Sequence, residues 1–285
     1  SGAEANENAL KLASFHTGRS KVVAFSNSFH GRTSAAVAAT DNERINAPLN
    51  RQHEVELLPL NDLNALEKVL ALKDVAAVII EGIQGVGGLD EGTTEFFKEL
   101  EALCREHGTV LILDEIQSGY GRSGKFFAFQ HHGIQPDLIT VAKGMGNGFP
   151  IGGVMIAPSF EASFGLLGTT FGGNHLACAA ALSVLDVLEN EQLIEGIEER
   201  SAYLKERLKS LPGVQRIKGR GLMLGLEFDF EVAGLRKRMI HEKRIFTGGS
   251  SNPRLLRILP PLNVTKEELA HFADALEALL KVESA

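Results

Sequence analysis

The chain has 285 residues, 44% of them hydrophobic and 23% charged, and a formal net charge of −7. That is ordinary globular composition, enough for one large domain or a domain and a half. The absence of a long Lys/Arg run argues against a nucleic-acid partner, which needs clustered cations against phosphates. No apolar run reaches the roughly 18 residues of a membrane span, so small-molecule substrates are expected rather than a membrane.

Ser1-Gly2-Ala3 leads directly into a helical pattern over residues 4–13, with neither a strand nor a secretion-signal pattern before it. A domain seldom opens there, which predicts that an N-terminal part is lacking. Next come short apolar runs at 21–25, 76–81, 109–114, 138–142 and 153–157, with helical patterns at 63–72 and 94–107. Strands apolar on consecutive positions are covered on both faces, and their alternation with helices predicts a mainly parallel sheet in an α/β layer structure. An alanine-rich helix follows at 175–189, then a helix at 192–211, a strand at 221–228 and a closing amphipathic helix at 266–282. The change in composition predicts a large domain over 1–175 and, over 176–285, a linking helix with a smaller α+β domain. Cys104 and Cys178 both lie in apolar helical surroundings and are expected to be buried thiols in a reducing compartment, with cytoplasm the expected location.

Ligands of parallel sheets gather at the carboxyl ends of strands, so the residues just after each apolar run carry the functional signal. Asp114 ends one such run, and Lys143 follows another in Val141-Ala142-Lys143-Gly144-Met145-Gly146. A buried carboxylate needs a cationic partner, and a desolvated lysine tends toward the neutral amine that attacks a carbonyl. Together they suggest pyridoxal 5′-phosphate, which needs an amine for its aldehyde and an acid against its pyridinium nitrogen. Taken singly, Asp114 also reads as a helix cap or structural ion pair, and Lys143 as a surface residue in a glycine-rich connection. If the strand continues past Asp114, Ile116 projects to the same side and presses on a ring face. Gly2 and Ala3 begin a helix, where free N–H groups form a phosphate site. Thr169-Thr170, in a glycine-flanked turn, either adds bonds to phosphate or simply caps a helix. Phe29 stacks on an aromatic ring or belongs to the core, and Arg32 suits bidentate binding of a carboxylate. His131-His132 has no ligand cluster at metal spacing, so no metal is expected. The glycines of 82–88 match no dinucleotide or phosphate-loop fingerprint.

In order along the chain, SGAEANE (1–7), SFHGRT (28–33), LDEIQSGYGRSG (113–124), AKGMGNGFPIGG (142–153) and GTTFGGNHLACAAAL (168–182) resemble the class III, ornithine-type aminotransferases of pyridoxal-phosphate fold type I. The likeness is nearest to the acetylornithine (or succinylornithine) enzymes of arginine biosynthesis. It implies that Lys143 holds the cofactor as an imine and moves a proton between the substrate Cα and the cofactor C4′, while Asp114 keeps the ring nitrogen protonated. Gly2 and Ala3 would hold the phosphate through backbone N–H groups, with Thr170 reaching it from a neighbouring subunit of a homodimer. Phe29 and Ile116 would sandwich the ring, and Gln117 would bond its phenolic oxygen. Arg32 and Thr169 match substrate-contacting positions, and Arg257 matches the arginine that takes the α-carboxylate. The implied reaction moves an amino group from N-acetyl- or N-succinyl-ornithine to 2-oxoglutarate. Ornithine, 4-aminobutyrate or another ω-amine is the alternative donor, and a non-catalytic fragment that keeps the fold and dimer surface is the alternative of another class.

One departure stands out. Where the family commonly has a glutamate that shields the substrate arginine, this chain has Val86, in Glu81-Gly82-Ile83-Gln84-Gly85-Val86. Either Arg257 stays open to carboxylates in both half-reactions, or Asp90, Glu91 or another acid replaces the missing group.

Overall fold

The computed structural model describes residues 1–283. In chain order its elements are α1 (Gly2–Thr17), β1 (Lys21–Phe25), α2 (Ser34–Ala38), β2 (Val55–Leu58), α3 (Leu63–Leu70), β3 (Val75–Glu81), α4 (Thr94–His107), β4 (Val110–Asp114), β5 (Leu138–Val141) and β6 (Gly153–Ile156). After these come α5 (His175–Asn190), α6 (Ile197–Leu208), β7 (Val214–Arg220), β8 (Met223–Phe228), α7 (Ala233–Lys243), β9 (Leu255–Ile258) and α8 (Lys266–Glu283). The first six strands form one sheet in the order β2-β1-β3-β4-β5-β6, parallel except for β6, and the last three form a small antiparallel sheet.

Side-chain alternation explains why the central strands read as continuous apolar runs. Val78 and Ile80 of β3, with Leu111 and Leu113 of β4, pack under Leu66, Phe96, Phe97 and Leu100 of α3 and α4. Ala77 and Ile79, with Val110 and Ile112, face Ala9, Leu10 and Ala13 of α1. Both faces of these strands are therefore dry, and every residue of β3 and β4 is buried. Continuing the same period of two places Glu81 and Asp114 on the α1 face. They lie abreast, Glu81 opposite Asp114 and Asp114 opposite Thr140. This register brings three strand ends together and sets Lys143 just beyond the third.

A second core joins α6, α7 and α8 to the small sheet, through Leu204, Leu224, Leu226, Phe228, Met239 and Leu276 among others. Several expectations are corrected here. The helix expected over 192–211 is confined to Ile197–Leu208, because Gln192 takes a positive φ of 49° in a preceding turn. Cys104 is buried, but Cys178 is exposed on α5, whose apolar side chains Leu176, Leu182, Leu185 and Val187 also face outward. The strand that ends in Asp114 stops there, so Ile116 belongs to a turn and not to a continuing strand.

Immediately after β4, Glu115 is fully buried and clamps two loops: its carboxylate accepts from the Ser118 hydroxyl at 2.6 Å and from the Phe129 N–H at 2.9 Å. Burial pushes its carboxyl up to about 7, against these hydrogen bonds. A carboxyl that holds its proton more tightly folded than unfolded stabilises the fold fully below its unfolded value, near 4.5, and that contribution is lost as pH rises through 7. Glu115→Gln, which cannot ionise, should therefore gain stability relative to the parent by about 1–3 kcal/mol between pH 4.5 and 8. Paired denaturant titrations across that range check it, and a pH-independent difference would refute it.

Candidate active site

A cavity of about 480 Å³ opens where β3, β4 and β5 end. Gly2, Ala3, Phe29, Arg32, Asp114, Ile116, Gln117 and Lys143 all line it, so the fold gathers most of the expected site from well-separated segments. A wider cleft of about 840 Å³ lies beside β7 and holds none of them. There Asp90 meets Lys218 at 2.7 Å and Glu91 meets Arg220 at 2.7 Å. Those two acids are committed to β7, and neither stands in for the glutamate absent at position 86.

Asp114 is almost fully buried. One carboxylate oxygen accepts from the Asn6 side-chain amide at 2.7 Å and lies 2.7 Å from His30 Nδ1; the other accepts from the Ile116 N–H at 3.1 Å. An ionised carboxylate only accepts, so His30 must present its proton on Nδ1. The Asn6 amide also donates to the His30 carbonyl at 2.7 Å, which locks the three groups together. No catalytic motif in the sequence marks Asn6 or His30. A usable signal existed for Asn6, which lies in the buried stripe of α1 with Ala5, Ala9, Leu10 and Ala13, where a polar side chain must find a partner.

Lys143 begins a short 3₁₀ turn after β5 with a positive φ of 41°. Its side chain lines the cavity and remains exposed to solvent. Desolvation lowers its pKa, opposed by Asp114 and Glu81 and reinforced by Arg257. The amine is thereby moved toward the unprotonated form that a nucleophile requires.

Glu81, the last residue of β3, is a further member of the cavity wall that no sequence motif marks. It accepts from the Phe29 N–H at 3.0 Å and from the Gly85 N–H at 2.8 Å, so one carboxylate fixes both the ring-facing segment and the loop before Val86. Burial pushes it up to about 7; His30 opposes the shift and Asp114 adds to it. From the small sheet, Arg257 donates to the Gly85 carbonyl at 2.6 Å and to Gln117 Oε1 at 3.3 Å. Gln117 is thus engaged by Arg257 beside the cavity.

Phe29 is half-buried and lies outside the apolar clusters of the core, while Arg32 is exposed at the cavity wall. Ser1 caps α1 by accepting from the Glu4 N–H at 3.3 Å, which leaves the first-turn N–H groups of Gly2 and Ala3 at the cavity. A Cβ on Gly2 would sit 2.8 Å from Ile116 Cγ2, so the close approach of helix to turn depends on glycine. Thr169 and Thr170 are not brought into this cavity: both are exposed and line the adjoining cleft, which shares Ser1, Pro150 and Ile151 with it.

A lysine tuned toward its neutral form, an anchored carboxylate, a half-open phenyl ring and a helix start fit pyridoxal 5′-phosphate. Lys143 would hold its aldehyde, Asp114 its ring nitrogen, Phe29 and Ile116 its ring faces, and Gly2 and Ala3 its phosphate.

Comparison with known proteins agrees. The "Aminotransferase class-III" family model matches residues 1–280. The acetylornithine aminotransferase of Bacillus subtilis is 41% identical over all of this chain and 75% of its own length. That of Methanothermobacter thermautotrophicus is 40% identical over 97% of this chain and 72% of its own. Among solved structures, ornithine aminotransferase from Toxoplasma gondii superposes with a TM-score of 0.91 at 32% identity, covering 100% of this chain and 72% of that one. Class III aminotransferases use pyridoxal 5′-phosphate. With the family model matching residues 1–280 and a relative 41% identical over all of it, the chain belongs to the class III aminotransferases.

Proposed function

We propose that this protein moves the δ-amino group of N-acetylornithine, or its N-succinyl counterpart, to 2-oxoglutarate by a ping-pong route, as a step of arginine biosynthesis in the cytoplasm. The observation that carries the reading is the pair of guanidinium groups around the Lys143 cavity. Arg32, from the segment after β1, lines the cavity, and Arg257 of β9 lies just behind its wall, bonded to the lining residue Gln117 and to the Gly85 carbonyl. Two such groups suit substrates with a carboxylate far from the reacting amine and an acceptor with a carboxylate at each end. The roughly 40% identity to acetylornithine enzymes supports the same choice of donor.

When bound, pyridoxal 5′-phosphate supplies the electron sink for the carbon that loses its proton. In this reading Lys143 is the base that takes and returns that proton, Asp114 holds positive charge at the ring nitrogen, and Phe29 and Ile116 fix the ring plane. Arg257 and Arg32 hold carboxylates, and Thr169 would contact substrate only from the adjoining cleft, where it lies with Thr170. Gln117 reaches the phenolic oxygen once a substrate carboxylate draws Arg257 away from it. Thr170 would complete a phosphate site in a second copy of the chain. A homodimer is proposed because α5, Met155, Ile156, Phe164 and Phe171 expose apolar side chains, more than an isolated surface usually carries.

The likeness to ornithine aminotransferase favours a second reading, with free ornithine as donor. Single-turnover rates of the amine half-reaction with N-acetylornithine, N-succinylornithine, ornithine and 4-aminobutyrate, followed by cofactor absorbance, separate the two. An acylated ornithine should lead in rate over KM by at least about tenfold, a difference of 1.4 kcal/mol in transition-state binding. Ornithine or 4-aminobutyrate in first place would overturn the assignment.

A further inference from the structure

The Arg257 end of the site carries more positive charge than one arginine supplies. Arg257 and Gly248 exchange backbone hydrogen bonds, Gly248 N–H to Arg257 O at 2.8 Å and Arg257 N–H to Gly248 O at 3.0 Å. A Cβ at Gly248 would stand 2.9 Å from Arg257 Nε, and one at Gly249 would stand 2.7 Å from Arg236 Nη1. Two successive residues without side chains therefore let one guanidinium lie against each. Arg236 belongs to α7 and donates Nη2 to the Thr247 carbonyl at 3.3 Å.

Among the described residues, neither arginine has a carboxylate within ion-pair distance, and the hydrogen bonds they do make go to carbonyl oxygens and Gln117. The Nε atoms of Arg236 and Arg257 and the Thr247 hydroxyl are all buried without a hydrogen-bond partner. Buried donors left unpaired cost free energy, and two unneutralised guanidiniums repel, so an arriving anion relieves both penalties. Burial first, and then Arg236, lowers the Arg257 pKa.

We infer that Arg236 is a specificity-determining residue: set beside Arg257 by the Gly248–Gly249 turn, it raises the affinity of this end of the site for one carboxylate of a dicarboxylic substrate. The inference rests on the reading of Arg257 as a carboxylate-binding arginine. It assigns dicarboxylate preference to two cationic ends, Arg32 at one and the Arg257–Arg236 pair at the other.

Calorimetric titration of the cofactor-loaded protein with glutarate tests this, because that dicarboxylate has neither amine nor keto group and cannot react. Arg236→Gln should weaken glutarate binding about five- to tenfold at low salt, less at high salt, with Arg236→Lys recovering most of the loss. Arg257→Gln should weaken it further. Parental binding by Arg236→Gln, alongside a loss in Arg257→Gln, overturns the role of Arg236 alone. Parental binding by both variants overturns the reading of Arg257 as well. Equal, salt-independent losses in the Gln and Lys variants of Arg236 would show packing rather than charge, and would also overturn the inference.

Discussion

Lys143→Ala is expected to abolish transamination, lowering turnover by more than about a thousandfold, and to remove the site of cofactor attachment. The position of Lys143, not its chemistry alone, sets this size. Thr140 pairs with Asp114 across the β4–β5 ladder, so the lysine three residues later is delivered to the mouth of the same cavity. Partial desolvation lowers its pKa there, in the direction that favours the lone pair needed for attack and for proton transfer. A guanidinium keeps its proton at any working pH, so Lys143→Arg should be as inactive as Lys143→Ala although it preserves the charge. Reduction with borohydride in the presence of pyridoxal phosphate, followed by peptide mass spectrometry, reads out attachment directly. The parent chain should carry the label on the peptide containing Lys143, and both variants should carry none. An unlabelled parent would favour the non-catalytic fragment, and a label that persists in Lys143→Ala would move the role to another lysine.

The parts of the fold that could be read from sequence are those whose burial is uniform. β3 and β4 are apolar at every position but the last because helices cover both faces, and their ends locate the site. β2 escaped notice because an edge strand needs little apolar surface: Val55, Glu56 and Leu57 stay partly or fully exposed. β7 reads as a solvated basic stretch, yet its Lys218 and Arg220 find Asp90 and Glu91 across the wider cleft. α7 has no apolar stripe, and Leu235 and Met239 are its buried members. The same logic divides the site. Lys143, Asp114 and Phe29 sit beside strand ends and glycines, a local signal. Asn6, His30 and Glu81 matter through contacts made across the chain, Asn6 to Asp114 over 108 positions and Arg257 to Gly85 over 172. No local pattern encodes such pairs, since the topology of the sheet creates them.

Asp114→Asn should be the most damaging change that keeps the shape of the site, slowing the amine half-reaction by about a hundred- to a thousandfold, the scale of losing one preorganised electrostatic partner. The substitution removes the charge that would face the ring nitrogen of a bound cofactor. It also disturbs the pairing behind it, because Asn6 and His30 both present donors to the same oxygen. An asparagine satisfies them only by turning its carbonyl oxygen that way, which leaves its NH₂ against the Ile116 N–H, a second donor. His30 can soften the conflict by moving its proton to Nε2, which is buried without a partner, so Nδ1 becomes an acceptor. The fold should consequently survive with a loss of about 1–3 kcal/mol, the usual result of leaving one buried polar group mispaired. Stability and chemistry then separate: a modest drop in unfolding free energy alongside a rate loss two to three powers of ten in size identifies the charge itself as the catalytic contribution. Single-turnover kinetics with denaturant titration of the same preparation measures both. A half-reaction within tenfold of the parent rate would show that the carboxylate only props up His30 and Asn6, and the electrostatic role of Asp114 would be lost.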